Sequence, residues 1–221
     1  MRINNRLRIT PSMKSLIHKN AHFLLLGLLL LSLNLHPAQA QDPSSKFKYQ
    51  GFSGGMMVHA GYLQNDLIPI PGKEISAMTT GIGGALRLHF GDHFRIGTEG
   101  YSSNAKLWDN TSYVHCGWGG LLIDFPFTFN RWTLVGGLTV GGGGSKGVYM
   151  LEGDSADWKP EPELYYHKFA YFMMDPYAAV EYRLTDVIHL IFKVDYMFGM
   201  GKNAKELPIG PRAYIGFMFY R

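Results

Sequence analysis

The side chains best suited by type to do chemistry gather between Gly143 and Phe169, where Ser145, Ser155 and His167 share the chain with Glu152, Asp154, Asp157, Glu161 and Glu163. A nucleophile needs a base within hydrogen-bond reach and an acid to orient that base. The residue types for such a set are present, but no diagnostic spacing links them, so the segment reads as a polar, solvated loop and no catalytic residue is assigned. The same five acids could attract Ca²⁺, yet the Asp-x-Asp-x-Asp-Gly pattern of a calcium loop is absent and Trp158-Lys159-Pro160 interrupts the run. Asp154-Ser155-Ala156 matches a short O-glycosylation sequon. Gly141 to Gly144 lacks the Lys-Ser/Thr ending of a phosphate-binding loop and reads as a flexible strand end. His59, His89, His115 and His189 are placed on inward phases of separate strands, as hydrogen-bonded histidines and not as ligands of one ion. Cys116, the single cysteine, excludes an intrachain disulfide and a thiolate cluster. Neither metal nor cofactor is expected.

The compartment is set by the first forty residues. Phe23 to Leu35 is almost continuously apolar, Lys14, His18 and Lys19 precede it, and Ala38-Gln39-Ala40 follows. A charged n-region, an apolar h-region and a small-x-small site make a secretory signal peptide over 1–40, cleaved after Ala40. The apolar core is shorter than the ~20 residues a spanning helix needs. Met13-Lys14 reads as a better start than Met1. The formal charge of +4 owes much to Arg2, Arg6, Arg8, Lys14 and Lys19, so the processed chain is near neutral. It lacks the basic cluster of a nucleic-acid binder.

Beyond a short N-terminal segment, 41–50, residues 51–221 form one domain. Only 17% of the chain is charged, while Gly (27 residues), Tyr (13) and Phe (14) are abundant. Strict alternation is clearest at 171–184 and 188–198, and the same template gives 52–63, 79–90, 94–104, 113–126, 131–142 and 209–220. Ten such residues at a tilt near 40° rise about 25 Å, the height of an outer-membrane apolar band. The links alternate between tight (Gly91-Asp92-His93, Asn130, Thr185-Asp186) and extended (64–78, 105–112, 143–169, 200–208). The fold class is therefore all-β, an eight-stranded antiparallel up-and-down transmembrane β-barrel.

Alternation alone does not say which face meets lipid. The face opposite Leu190, Phe192 and Val194 carries small residues, Tyr and a nearly balanced set of charges, not the Lys, Glu, Thr and Ser of a wetted wall. Buried charges must be paired, so Arg87, Arg183, Lys193 and Arg212 are set against Glu99, Asp175, Glu181 and Asp195 as a lumen network. Eight strands enclose just enough room for side chains. Phe90, Phe94, Phe125, Phe127, Phe129, Trp132 and Tyr182 collect at the tight turns as an interfacial girdle. Asp124 falls on the lipid phase of its strand, which calls for a position near the interface or a bulge at Gly119-Gly120.

With its leader, strand count, loop asymmetry and last strand (Arg212 to Arg221, with Gly216, Phe217 and Phe219 in the expected places), the chain resembles the small outer-membrane β-barrel proteins of Gram-negative bacteria, the OmpX, OmpW and PorT-like group. Arg221 stands where that group usually ends in Phe. The resemblance implies residence in the outer-membrane lipid bilayer and recognition of the last strand by the barrel-assembly machinery. Trp158, Tyr165 and Tyr166 in the long loop 143–169 point to a non-enzymatic role carried by external loops, with these three as the contact candidates. Two alternatives are a conduit or binder of small solutes, suggested by Met57, Met173 and Met197, and a lipid-modifying enzyme.

Overall fold

The computed structural model describes residues 48–65, 74–107, 111–151, 163–201, 204–207 and 209–221. The leader, residues 41–47 and Trp158 lie outside the described residues.

Eight strands form the barrel wall: β1 (Tyr49–Asn65), β2 (Ile75–Phe90), β3 (Phe94–Leu107), β4 (Ser112–Phe129), β5 (Trp132–Leu151), β6 (Glu163–Arg183), β7 (Ile188–Tyr196, resumed as Phe198–Met200) and β8 (Pro211–Tyr220). Each pairs antiparallel with its neighbours, β8 pairs with β1, and β5 pairs with β6, so the sheet closes on itself. Closure leaves no edge along the shared height of the wall. The break in β7 at Met197 has a local cause. Pro176 of β6 sits where Tyr196 would pair, it has no N–H to donate, and the same register resumes at Met174 opposite Phe198. Two reversals use residues that accept a left-handed backbone cheaply, Gly91 (φ 59°) and Asn130 (φ 57°).

Strands are longer than the alternation suggested, above all in the third hairpin. The expected extended loop 143–169 is mostly ladder: pairing continues from Gly144 opposite Ala170 to Leu151 opposite Glu163. The glycine run Gly141 to Gly144 is accordingly mid-strand and not a flexible strand end. Asp124 is corrected too. It points into the lumen, fully buried, and the β3–β4 ladder runs past Gly119 and Gly120 without a bulge. The inward phase of β4 is simply the other one, carried by Val114, Cys116, Trp118, Leu122 and Asp124. His115 therefore faces outward, hydrogen-bonded at 2.7 Å to Asn104 on the neighbouring strand.

The outer wall is apolar from the tight turns upward. On β5 it runs from Trp132 through Leu134, Leu138 and Val140 to the first outward charge, Lys146; on β6 it runs from Tyr182 down to Ala170, with Lys168 beyond. Twelve residues at that tilt span roughly 30 Å, the thickness of a bilayer core. Phe125, Phe127, Phe129 and Trp132 are exposed at the turn end, as a headgroup-level girdle requires. Leu121, mid-strand on β4 and 64% exposed, has hydrocarbon as its natural surroundings. Leu121→Arg is expected to destabilise the barrel by about 2–4 kcal/mol in urea titrations from lipid vesicles; an unchanged midpoint would mean that this wall does not meet the bilayer.

Candidate functional site

The lumen is layered along its axis. At the loop end it is apolar: Leu63, Ile75, Leu107 and Val114 are buried, as is Leu207, which follows a short 3₁₀ turn, Ala204–Glu206. That segment is tied down by Asn65, whose amide donates to the Lys205 carbonyl, and by the Gln64–Ile209 bridge. Below it lie two linked charge clusters. In the upper one, Lys193 Nζ donates to Glu99 Oε1 at 2.8 Å and Oε2 at 2.9 Å, and Thr139 donates to the same carboxylate. Arg212 bridges Asp195 at 2.7 Å and Asp175 at 3.0 Å while lying over the Trp118 ring. The Lys193 ammonium is also ringed by Tyr101, Tyr177 and Tyr214, with centroids at 5.1, 4.3 and 5.0 Å.

The lower cluster joins two arginines to two carboxylates. Arg87 Nε meets Asp124 at 2.9 Å and Arg95 Nη2 meets Glu181 at 3.2 Å. Arg87 also reaches Glu181 and Arg95 reaches Asp124, so each cation bridges both acids. Tyr177 donates to Asp124 at 2.8 Å, and Tyr220 lies in a short hydrogen bond with Glu181.

Seven of the eight lumen charges named from sequence thus meet one another. Arg183 does not: it lies exposed at the turn end and makes no ion pair among the described residues. Its place is taken by Arg95 and Asp124, which sequence reasoning missed. Arg95 opens the inward phase of β3 as the strand's second residue, and Asp124 becomes visible once the phase of β4 is read from Trp118 and Leu122.

Met57, Met173 and Met197 are packed into this interior. His59 is buried against Tyr101, Trp118 and Tyr214, whereas His89 and His189 both pack on Tyr220 at the turn end. Among the described residues no three His, Cys, Asp or Glu side chains converge as metal ligands. The catalytic candidates are also separated. Ser145 accepts a hydrogen bond from Cys116, His167 pairs with Glu206 at 2.8 Å, and Ser155 with residues 152–162 lies outside the described residues.

The β5–β6 hairpin rises beyond the rest of the barrel. β4 stops pairing with it at Tyr113 opposite Val148, and β7 at Met200 opposite Phe172, so among the described residues Glu163 to Phe169 has a partner strand on one side only. Tyr165 and Tyr166 are exposed on opposite faces of this ribbon. Tyr165 lies in a row of rings with His167, Phe169 and Tyr171, and Lys146 sits over Tyr166.

A scan of protein-family models and a search of curated proteins found no match for this chain. Solved structures do match. Neisserial surface protein A aligns at 11% identity with a TM-score of 0.51, over 78% of this chain and 97% of that one. Ail, the attachment invasion locus protein of Yersinia pestis, aligns at 13% identity (TM-score 0.46, 78% and 99% covered), and OprG of Pseudomonas aeruginosa at 13% (0.45, 80% and 98%). The chain has the fold of the small Gram-negative outer-membrane β-barrels. Its bilayer-high apolar exterior belongs to that setting.

Glu181 touches both arginines of the lower cluster. Glu181→Gln removes the charge that Arg95 and Arg87 share and should cost about 3–5 kcal/mol, as for a broken buried pair. Arg183→Gln, which breaks no pair, should leave the unfolding midpoint at or above that of the native chain. Equal effects of the two substitutions in vesicle unfolding would show that the network does not hold the barrel.

Proposed function

We propose that the protein is a non-enzymatic outer-membrane barrel, exported through its cleaved leader and seated by the barrel-assembly machinery through β8, that uses the β5–β6 hairpin to contact an external partner. The observation that carries this is the ladder of Glu163 to Phe169, one-sided among the described residues. An unpaired strand edge above the membrane offers backbone donors and acceptors to an incoming polypeptide, and alternate side chains beside it select among candidates. Tyr165 and Tyr166 supply large contact area at low entropic cost, as aromatic residues do in binding surfaces. Trp158, which lies in the sequence between the two strands, is proposed as a further contact.

A packed lumen supports the non-conducting part of the reading. The charge clusters fill the middle of an eight-stranded interior, and Leu63, Ile75, Leu107 and Leu207 are buried toward its loop end. A solute path would have to open both layers.

Protein embedded in nanodiscs and screened against displayed peptide libraries and glycan arrays should enrich ligands that the Tyr165→Ser/Tyr166→Ser double variant binds about tenfold or more weakly. Heat-modifiable gel migration should be the same for both. Equal binding by the two proteins would remove the hairpin from the interface.

A further inference from the structure

At the turn end the lumen opens into a cavity of about 500 Å³. Its wall is unusually basic. Arg131, just before β5, and Arg183, at the end of β6, face each other across the hairpin, with the Arg183 amide donating to the Arg131 carbonyl at 2.9 Å. The next strand continues the row, because Arg183 pairs with His189 of β7. Three basic side chains therefore sit abreast at the turn ends of β5, β6 and β7, all on the inward phase and all lining the cavity.

Like charges placed directly opposite on a ladder destabilise it, and among the described residues no carboxylate bridges this pair. Neither Arg131 nor Arg183 makes an ion pair among the described residues. The acid lining the cavity, Asp92, is engaged by Gln50 at 3.2 Å, and the carboxylate below, Glu181, is held by Arg95 and Tyr220. His189 is stacked on Tyr220 with ring centroids 3.9 Å apart, and its Nδ1 is buried without a hydrogen-bond partner. Two planar guanidinium forks at one mouth match the acceptor-rich geometry of a phosphate group.

We propose that this mouth is a binding site for a phosphate-bearing ligand presented from the periplasmic side, gripped between Arg131 and Arg183 with His189 beside them. The side follows from the short turns, which face the periplasm in barrels of this kind. The phosphate could be carried by a lipid headgroup of the inner leaflet or be free in the periplasm, and the chemistry of the grip is the same for both. The site lies at the opposite end of the molecule from the β5–β6 ribbon, so it does not depend on the external role.

The purified full chain in dodecyl maltoside, which contains no phosphate, would be titrated calorimetrically at constant ionic strength in chloride. One arm receives inorganic phosphate and the other a short-chain phosphatidylglycerol. Saturable one-site binding is expected in at least one arm, weakened about tenfold or more by Arg131→Gln and by Arg183→Gln, with gel migration confirming that each variant is folded. Binding in the first arm alone identifies a free oxyanion, and in the second alone a headgroup; both support the site. No saturable binding in either arm, or binding that both substitutions leave unchanged, overturns it.

Discussion

Every charge in the lumen must find its partner on a different strand, and this requirement constrains the rest of the molecule. The nine charged groups of the two clusters come from β2, β3, β4, β6, β7 and β8, and the contacts span the chain: Arg87 meets Glu181 and Lys193 meets Glu99 only if the ring has closed in one register. Buried ion pairs add little net stability over an apolar interior, because desolvation offsets most of the attraction. Leaving one unpaired is expensive. The network therefore acts mainly against misregistered barrels, since a shift of β7 by two residues would bring Lys193 away from Glu99 without a substitute. Specification of register matters in a sheet whose glycine-rich strands could otherwise slide.

The glycines and tyrosines that dominate the composition are two halves of one packing solution. An eight-stranded interior is too narrow for large side chains on every inward position. Where a tyrosine ring crosses the lumen, a neighbouring strand offers it a bare backbone: a Cβ on Gly137 would lie 2.4 Å from the Tyr177 ring, and one on Gly83 would lie 2.2 Å from that of Tyr101. Those same tyrosines then direct their hydroxyls onto Asp124 and Glu99. Glycine here is a space requirement, and the ring it admits completes the hydrogen bonding of a buried carboxylate.

The parts of the structure that were legible from sequence are those where two solvents differ. Between lipid and lumen, alternate residues must differ in polarity, and β6 and β7 announce themselves through Phe172 to Leu184 and Ile188 to Phe198. Above the bilayer the β5–β6 hairpin carries polar and aromatic residues on both faces, Lys146, Tyr166 and Lys168 on one and Ser145, Tyr165 and His167 on the other, so polarity does not alternate and the segment read as loop. Asp124 and His115 were assigned to the wrong walls for a related reason. β4 carries glycine at Gly117, Gly119 and Gly120, which suits either face, and its phase is fixed only by Trp118 and Leu122. Arg183 failed differently: its parity is inward, yet its height places it at the mouth and outside the ion-paired layer. Parity is written in the sequence, whereas height depends on strand stagger.

Height gives the molecule its asymmetry. From the loop end downward the interior passes from buried aliphatic side chains, through the Lys193–Glu99 and Arg212 cluster, through the paired arginines, to an open basic mouth. Two of these four layers are filled with bonds that are costly to break, and the aliphatic one excludes water. A ligand at one end is therefore separated from the other by a core that does not yield to small forces. The hairpin above and the mouth below must act as independent surfaces, and the barrel between them serves as a rigid spacer whose length is set by the bilayer.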